Sequence, residues 1–78
     1  MAFSEEENKN IQKALFDEAK KRAMTVGTRK TSVEELTDTV GISKGSFYKF
    51  YDSKELLFFS VLESIHTELY NVAKETLL

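Results

Sequence analysis

The chain has 78 residues, a formal net charge of −2, 41% hydrophobic residues and 31% charged residues, which is typical of one small soluble globular domain and argues against disorder. The absence of cysteine excludes disulfides and thiolate metal sites, and no apolar run approaches the roughly 18 residues that span a bilayer. The acidic N-terminus is unlike an export signal, so we expect a cytoplasmic protein without a membrane partner.

Three glycines and no proline predict an all-helical chain in which the glycines end or bend the helices. Ser4 is the expected N-cap of the first helix, and Gly27 is its expected stop. Between them an apolar stripe recurs at three- and four-residue spacing, which is the pattern of an amphipathic helix. The stripe consists of Ile11, Leu15, Ala19, Ala23 and Val26.

Two short helices and a glycine turn are predicted next. Ser32 followed by Glu35 is a capping box, and it opens a second helix that runs to about Val40. Gly41 can adopt the left-handed conformation that ends such a helix, and Ser43 can cap a third. This order is the sequence form of a helix-turn-helix, whose second helix is narrow enough to enter the DNA major groove. Its expected inner face is Leu36, Val40, Ile42, Phe47 and Phe50.

A longer fourth helix is predicted from a cap at Asp52 or Ser53 towards Leu78. At 1.5 Å per residue it would span roughly 39 Å and overhang a three-helix unit. We therefore expect that this chain is part of something larger or pairs with another copy; fraying of the helix end is the alternative. Its apolar stripe consists of Leu57, Phe58, Val61, Leu62, Ile65, Leu69 and Val72.

The distribution of charge along the chain indicates nucleic-acid binding more strongly than the net charge does. Between Thr39 and Tyr51 there is no acidic residue, whereas Lys44 and Lys49 lie inside that window. Lys44 and Lys54 each fall in the first turn of a predicted helix, where a cation is unfavourable by roughly 0.3–1 kcal/mol unless a phosphate docks there.

The outward residues of the third helix are the candidate DNA contacts. A glycine inside a helix costs about 1 kcal/mol relative to alanine, and at Gly45 it would let the backbone approach a base closely. We expect base contacts from the start of this helix and a phosphate contact from the hydroxyl of Tyr48, while Tyr51 is expected to be half-buried. The candidates for base contact are Ser43, Lys44, Gly45 and Ser46.

The segments TSVEEL (31–36) and GISKGSFYKFYDSKELL (41–57) resemble the N-terminal DNA-binding domain of tetracycline-repressor (TetR) type transcriptional regulators. The resemblance extends over roughly residues 11–62. It implies a DNA-binding domain over residues 4–60, with the helix-turn-helix at about 33–52. Residues 53–78 would be a fourth helix linking to a ligand-binding and dimerisation domain that is absent from this chain.

The resemblance also implies how the DNA is bound. Thr31 or Ser32, Tyr48 and Lys54 would meet phosphates, and residues 43–46 would face bases with Lys49 nearby. The full-length protein would be a bacterial repressor in the cytoplasm, associated with the nucleoid. It would form a homodimer on a palindromic operator of double-stranded DNA and bind a small-molecule effector outside this chain.

Three positions depart from the family pattern. Ala23 stands where phenylalanine is common, Thr28 where an aromatic residue is favoured, and Thr37 where alanine is usual. The first two predict a thinner core around the first helix, with Phe16, Phe47 or Phe58 in compensation. Thr37 could alter the packing of the second helix on the third.

Two other functions are weighed against DNA binding. An enzyme is not expected, because His66 is the single histidine and the sequence contains no phosphate-binding glycine loop or metal-ligand spacing, so no cofactor is predicted. A helix-turn-helix used for protein contact without DNA is the alternative. The operator sequence, the effector, the regulated genes and the choice between repression and activation cannot be read from the sequence.

Overall fold

The computed structural model describes residues 3–77, and within that range the chain is all-α, as predicted, with no strand. Leu78, the predicted end of the fourth helix, lies outside the described residues. The helices are α1 (Glu5–Ala23), α2 (Val33–Val40), α3 (Lys44–Phe50) and α4 (Lys54–Leu77).

Helix α1 begins as predicted and ends earlier than its apolar stripe implied. The Ser4 hydroxyl accepts from the Glu7 amide at 3.1 Å, and the Glu7 carboxylate accepts from the Ser4 amide, which completes a capping box. The helix stops at Ala23, so the assignment of Val26 to its apolar face was wrong; Val26 is 49% exposed. The cause is a left-handed turn at Gly27 (φ 85°), whose amide donates to the carbonyl of Arg22 at 2.7 Å.

The turn between α2 and α3 has the predicted form. Ser32 caps α2, and Gly41 ends it with φ 86° and ψ 35°, a conformation that other residues rarely adopt. The amides of Gly41 and Ile42 both donate to the carbonyl of Thr37, at 2.7 and 3.0 Å, and close the turn. Thr37 is buried, and its hydroxyl donates to the Glu34 carbonyl at 3.1 Å, so this departure from the family pattern is accommodated within α2.

A small core joins the four helices, with α1 packing on α2 and α4, and α2 packing on α3. Phe16, Val40, Ile42, Phe50 and Tyr51 pack against this core while remaining partly exposed, so Tyr51 is half-buried as predicted. The buried apolar residues are Leu15, Ala19, Leu36, Phe47, Leu57, Phe58 and Val61.

Helix α4 extends beyond the core, as its length predicted. Ser53 rather than Asp52 caps it, because the Ser53 hydroxyl accepts from the Leu56 amide at 3.1 Å. Every residue from 66 to 77 is exposed, including Leu69 (65%) and Val72 (60%). The helix continues to Leu77. Only the first half of α4 therefore contributes to the buried core of the described residues.

Replacing Leu36 with alanine should test whether stability comes from the buried core and not from the exposed half of α4. Leu36 is fully buried in the shared core, so Leu36→Ala should lower the free energy of unfolding by about 2–5 kcal/mol, measured by urea denaturation. The matched control is Leu69→Ala in the exposed half of α4, which should change stability by less than about 0.5 kcal/mol. A large effect at Leu69 would contradict the exposed state of that half.

Candidate nucleic-acid interface

The outward face of α3 carries most of the predicted DNA contacts. Phe47 is the one buried residue of this helix, and its burial turns the neighbouring positions towards solvent. Ser43, Lys44, Gly45, Tyr48 and Lys49 are exposed, and Ser46 is half-buried. The structure therefore brings six of the nine predicted contacts together on one short segment.

The serines at the start of α3 already have structural partners. The Ser43 hydroxyl accepts from the Ser46 amide at 3.1 Å and donates to the Ser46 hydroxyl at the same distance. Ser43 thus satisfies one of the unpaired N–H groups of the first turn. A hydroxyl oxygen has two lone pairs, so Ser46 retains its own proton as a donor to an external acceptor.

The fold itself does not require glycine at position 45. A Cβ built on Gly45 would have the Ser43 Oγ as its nearest neighbour at 3.8 Å, which is ordinary van der Waals contact, and its φ is not left-handed. Alanine would fit here and would favour the helix. The missing side chain instead leaves the exposed surface of α3 open to a close approach.

Tyr48 contacts the buried Phe47 and remains accessible to solvent. Its ring meets the Phe47 ring edge-to-face, with centroids 5.2 Å apart and an interplanar angle of 87°. The side chain is nevertheless 51% exposed. A positioned phenol on this surface can donate a hydrogen bond to a phosphate oxygen.

Lys44 has an intramolecular partner that the sequence pattern does not indicate. Its ammonium lies 2.5 Å from the Glu34 carboxylate on α2. The hydrogen bond from Lys44 lowers the pKa of Glu34, and the same contact raises the pKa of Lys44. Ten residues and a turn separate the two groups, so no helical spacing could indicate the pair.

Lys54, a predicted phosphate contact, is largely shielded from solvent. Its side chain is only 20% exposed, and its ammonium lies 3.8 Å from the Glu55 carboxylate. It remains at the first turn of α4, where the amides of a helix N-terminus favour an anion.

Thr31, which the resemblance offered with Ser32 as an alternative phosphate contact, does not face solvent. It is 1% exposed; its hydroxyl donates to the Gly27 carbonyl at 2.9 Å, and its amide donates to the Thr28 carbonyl. These two bonds give Thr31 a structural role in the loop before α2. Ser32 is exposed, and its hydroxyl accepts from the Glu35 amide at 3.0 Å as the cap of α2.

A second group that the sequence analysis did not single out, Arg22, connects α1 to α2. Its guanidinium donates to Glu18 at 2.7 Å within α1, to Glu35 at 2.9 Å and to the Thr39 hydroxyl at 3.3 Å, so it joins the end of α1 to both ends of α2. Hydrogen bonds from Arg22 and Ser32 lower the pKa of Glu35. In the sequence Arg22 ends a basic run, Lys20 to Arg22, and nothing in that run indicates these partners.

Comparison with known proteins identifies one family. The family described as "Bacterial regulatory proteins, tetR family" matches residues 15–61, which is more than half of the chain. No curated protein and no solved structure gives a significant match. Within residues 3–77, the combination of length and hydropathy that a transmembrane helix needs is not found.

The contact between Arg22 and Glu35 should make stability depend on pH. Because the folded state lowers the pKa of Glu35 below 4.5, the pair stabilises the fold fully above that value and loses its effect as pH falls through the lowered value. Near neutral pH, the unmodified chain should unfold at a higher temperature than the Glu35→Gln variant, as measured by circular dichroism. This difference in midpoint temperature should shrink in acid. A difference that is constant across the titration would contradict the charge-based role.

Proposed function

Because the chain belongs to the tetR family of bacterial regulatory proteins, we propose that it regulates transcription by binding double-stranded DNA sequence-specifically, with α3 in the major groove. The observation that supports this most is the face of α3, where Phe47 is buried and the remaining residues are polar, aromatic or bare backbone. The acid-free window from Thr39 to Tyr51 includes this helix.

The proposed contacts divide into two groups. Residues 43–46 lie at the start of α3 and would reach base edges, which carry the sequence information. Contacts to phosphates would come from residues on three elements and would set affinity and register. These are Ser32, Tyr48, Lys49 and Lys54, with Thr31 omitted because it is buried.

The full-length protein would act as a cytoplasmic repressor in the form of a homodimer on a palindromic operator. In such dimers the two half-sites lie about one helical turn apart, or a multiple of it. The exposed distal half of α4 would connect to the domain that dimerises and binds a small-molecule effector. The chain described here would bind one half-site.

Titration with duplex DNA tests the proposal. Log affinity should fall with log salt concentration at a slope of about −3 to −5, because about 0.9 counterions are released per phosphate neutralised. Fluorescence anisotropy at low ionic strength would measure it, and selection from random duplexes would yield the preferred half-site. Lys49→Ala should reduce the slope by about one.

The control for Lys49 is Lys74→Ala, which removes the same charge from the exposed distal half of α4 and should leave the slope unchanged. If the chain binds no duplex even at low salt, the alternative of a protein-contact module is favoured. If both lysine variants lower the slope equally, the phosphate surface does not lie at α3.

Gly45→Ala should change folding and DNA binding in opposite directions. The added methyl group fits the free protein, so the free energy of unfolding should rise by up to about 1 kcal/mol. The same methyl group would hold α3 away from the base edges and weaken DNA binding. Thermal unfolding and fluorescence anisotropy on the same samples would measure both effects. A variant that is more stable but binds DNA as tightly as the unmodified chain would refute the close approach at Gly45.

A further inference from the structure

The ion pair between Glu34 and Lys44 lies on the surface that the proposed function places against DNA. Glu34 is in the first turn of α2, Lys44 is the first residue of α3, and their side chains are 67% and 53% exposed. The lysine at the start of α3 therefore does not extend freely into solvent. A carboxylate from the preceding helix holds its ammonium on one side.

In the proposed complex, this ion pair would affect different DNA sequences differently. A carboxylate close to the duplex repels the phosphates of every sequence, and it competes with them for the lysine. An ammonium has three donors, so Lys44 can keep its bond to Glu34 and still donate to O6 or N7 of a guanine placed in line with it. Only a duplex with that acceptor in place gains from a lysine that is already positioned.

We propose that Glu34 is a positioning residue that makes Lys44 a reader of bases instead of a general phosphate contact. This inference rests on the proposed function, in which α3 lies in the major groove. Glu34 would weaken binding to all duplexes and restore affinity only where a purine acceptor meets the oriented ammonium. The gain is in discrimination between sequences and not in affinity.

The surroundings of Lys44 supply a matched control. Besides Glu34, the charged or titratable groups that act on Lys44 are Asp38 and Tyr48, and neither is ion-paired with it within residues 3–77. Asp38 lies one helical turn after Glu34 on α2 and is exposed. Asp38→Asn therefore removes the same charge from the same helix without removing the contact.

The experiment compares two duplexes by fluorescence anisotropy. One is the duplex enriched from a random pool by the unmodified chain, and the other is a shuffled duplex of the same composition. Glu34→Gln should bind the shuffled duplex about two- to fivefold more tightly, as expected for losing one exposed ion pair and its charge. Binding to the enriched duplex should stay the same or weaken, so the ratio of the two affinities should fall.

Two further variants decide whether Glu34 acts through Lys44. Asp38→Asn should tighten binding to both duplexes equally and leave the ratio unchanged. In the Lys44→Ala background, Glu34→Gln should no longer change the ratio. A general loss of folding would weaken binding to both duplexes, which separates a structural effect from the proposed one; thermal unfolding of each variant checks this directly.

The outcomes separate this inference from the function on which it rests. If the unmodified chain binds neither duplex, the proposed function fails and the role of Glu34 fails with it. If the chain prefers the enriched duplex but Glu34→Gln shifts both affinities by the same factor, DNA reading stands and the role of Glu34 is overturned. A ratio that still changes without Lys44 overturns it as well.

Discussion

Helix α3 is kept in place by one fully buried side chain, Phe47, and the candidate interface depends on that contact. A helix of seven residues is too short to be stable in water by itself, so its stability must come from packing. Burying a phenylalanine contributes about 1.5–3 kcal/mol, and the Phe47 ring also packs against Tyr48 and Tyr51, with centroids 5.2 and 6.0 Å away. Because Phe47 and the partly buried Phe50 hold the helix against the core, its exposed positions are available for recognition.

The second constraint is a series of charged contacts that connects α1 to α3 through α2. Arg22 at the end of α1 holds Glu35 and Thr39 on α2, and Glu34 on α2 holds Lys44 on α3. The first contact is partly shielded, since the Arg22 side chain is 19% exposed, whereas the second is open to solvent. The shielded contact is therefore suited to fixing the fold, and the exposed one can exchange partners when DNA approaches.

Several residues of the interface serve both the fold and the proposed recognition. Ser32 and Ser43 cap the two helices of the helix-turn-helix through their hydroxyls, and both are exposed. A cap places its own residue at the positive end of a helix, which is where a phosphate or a base acceptor is best received. Two of the polar groups that define the helix ends are thus among those that meet the nucleic acid in the proposed complex.

Apart from the end of α1, the helices and the outward face of α3 could be predicted from local sequence, because caps, left-handed glycines and apolar spacing act within a few residues. Ser4, Ser32 and Ser43 open helices as predicted, and Gly41 closes α2. The burial of Thr31 and the pairing of Lys44 with Glu34 are visible only in the folded chain. These contacts depend on how the chain turns between helices, and the distance across a turn follows no periodicity that a sequence pattern could reveal.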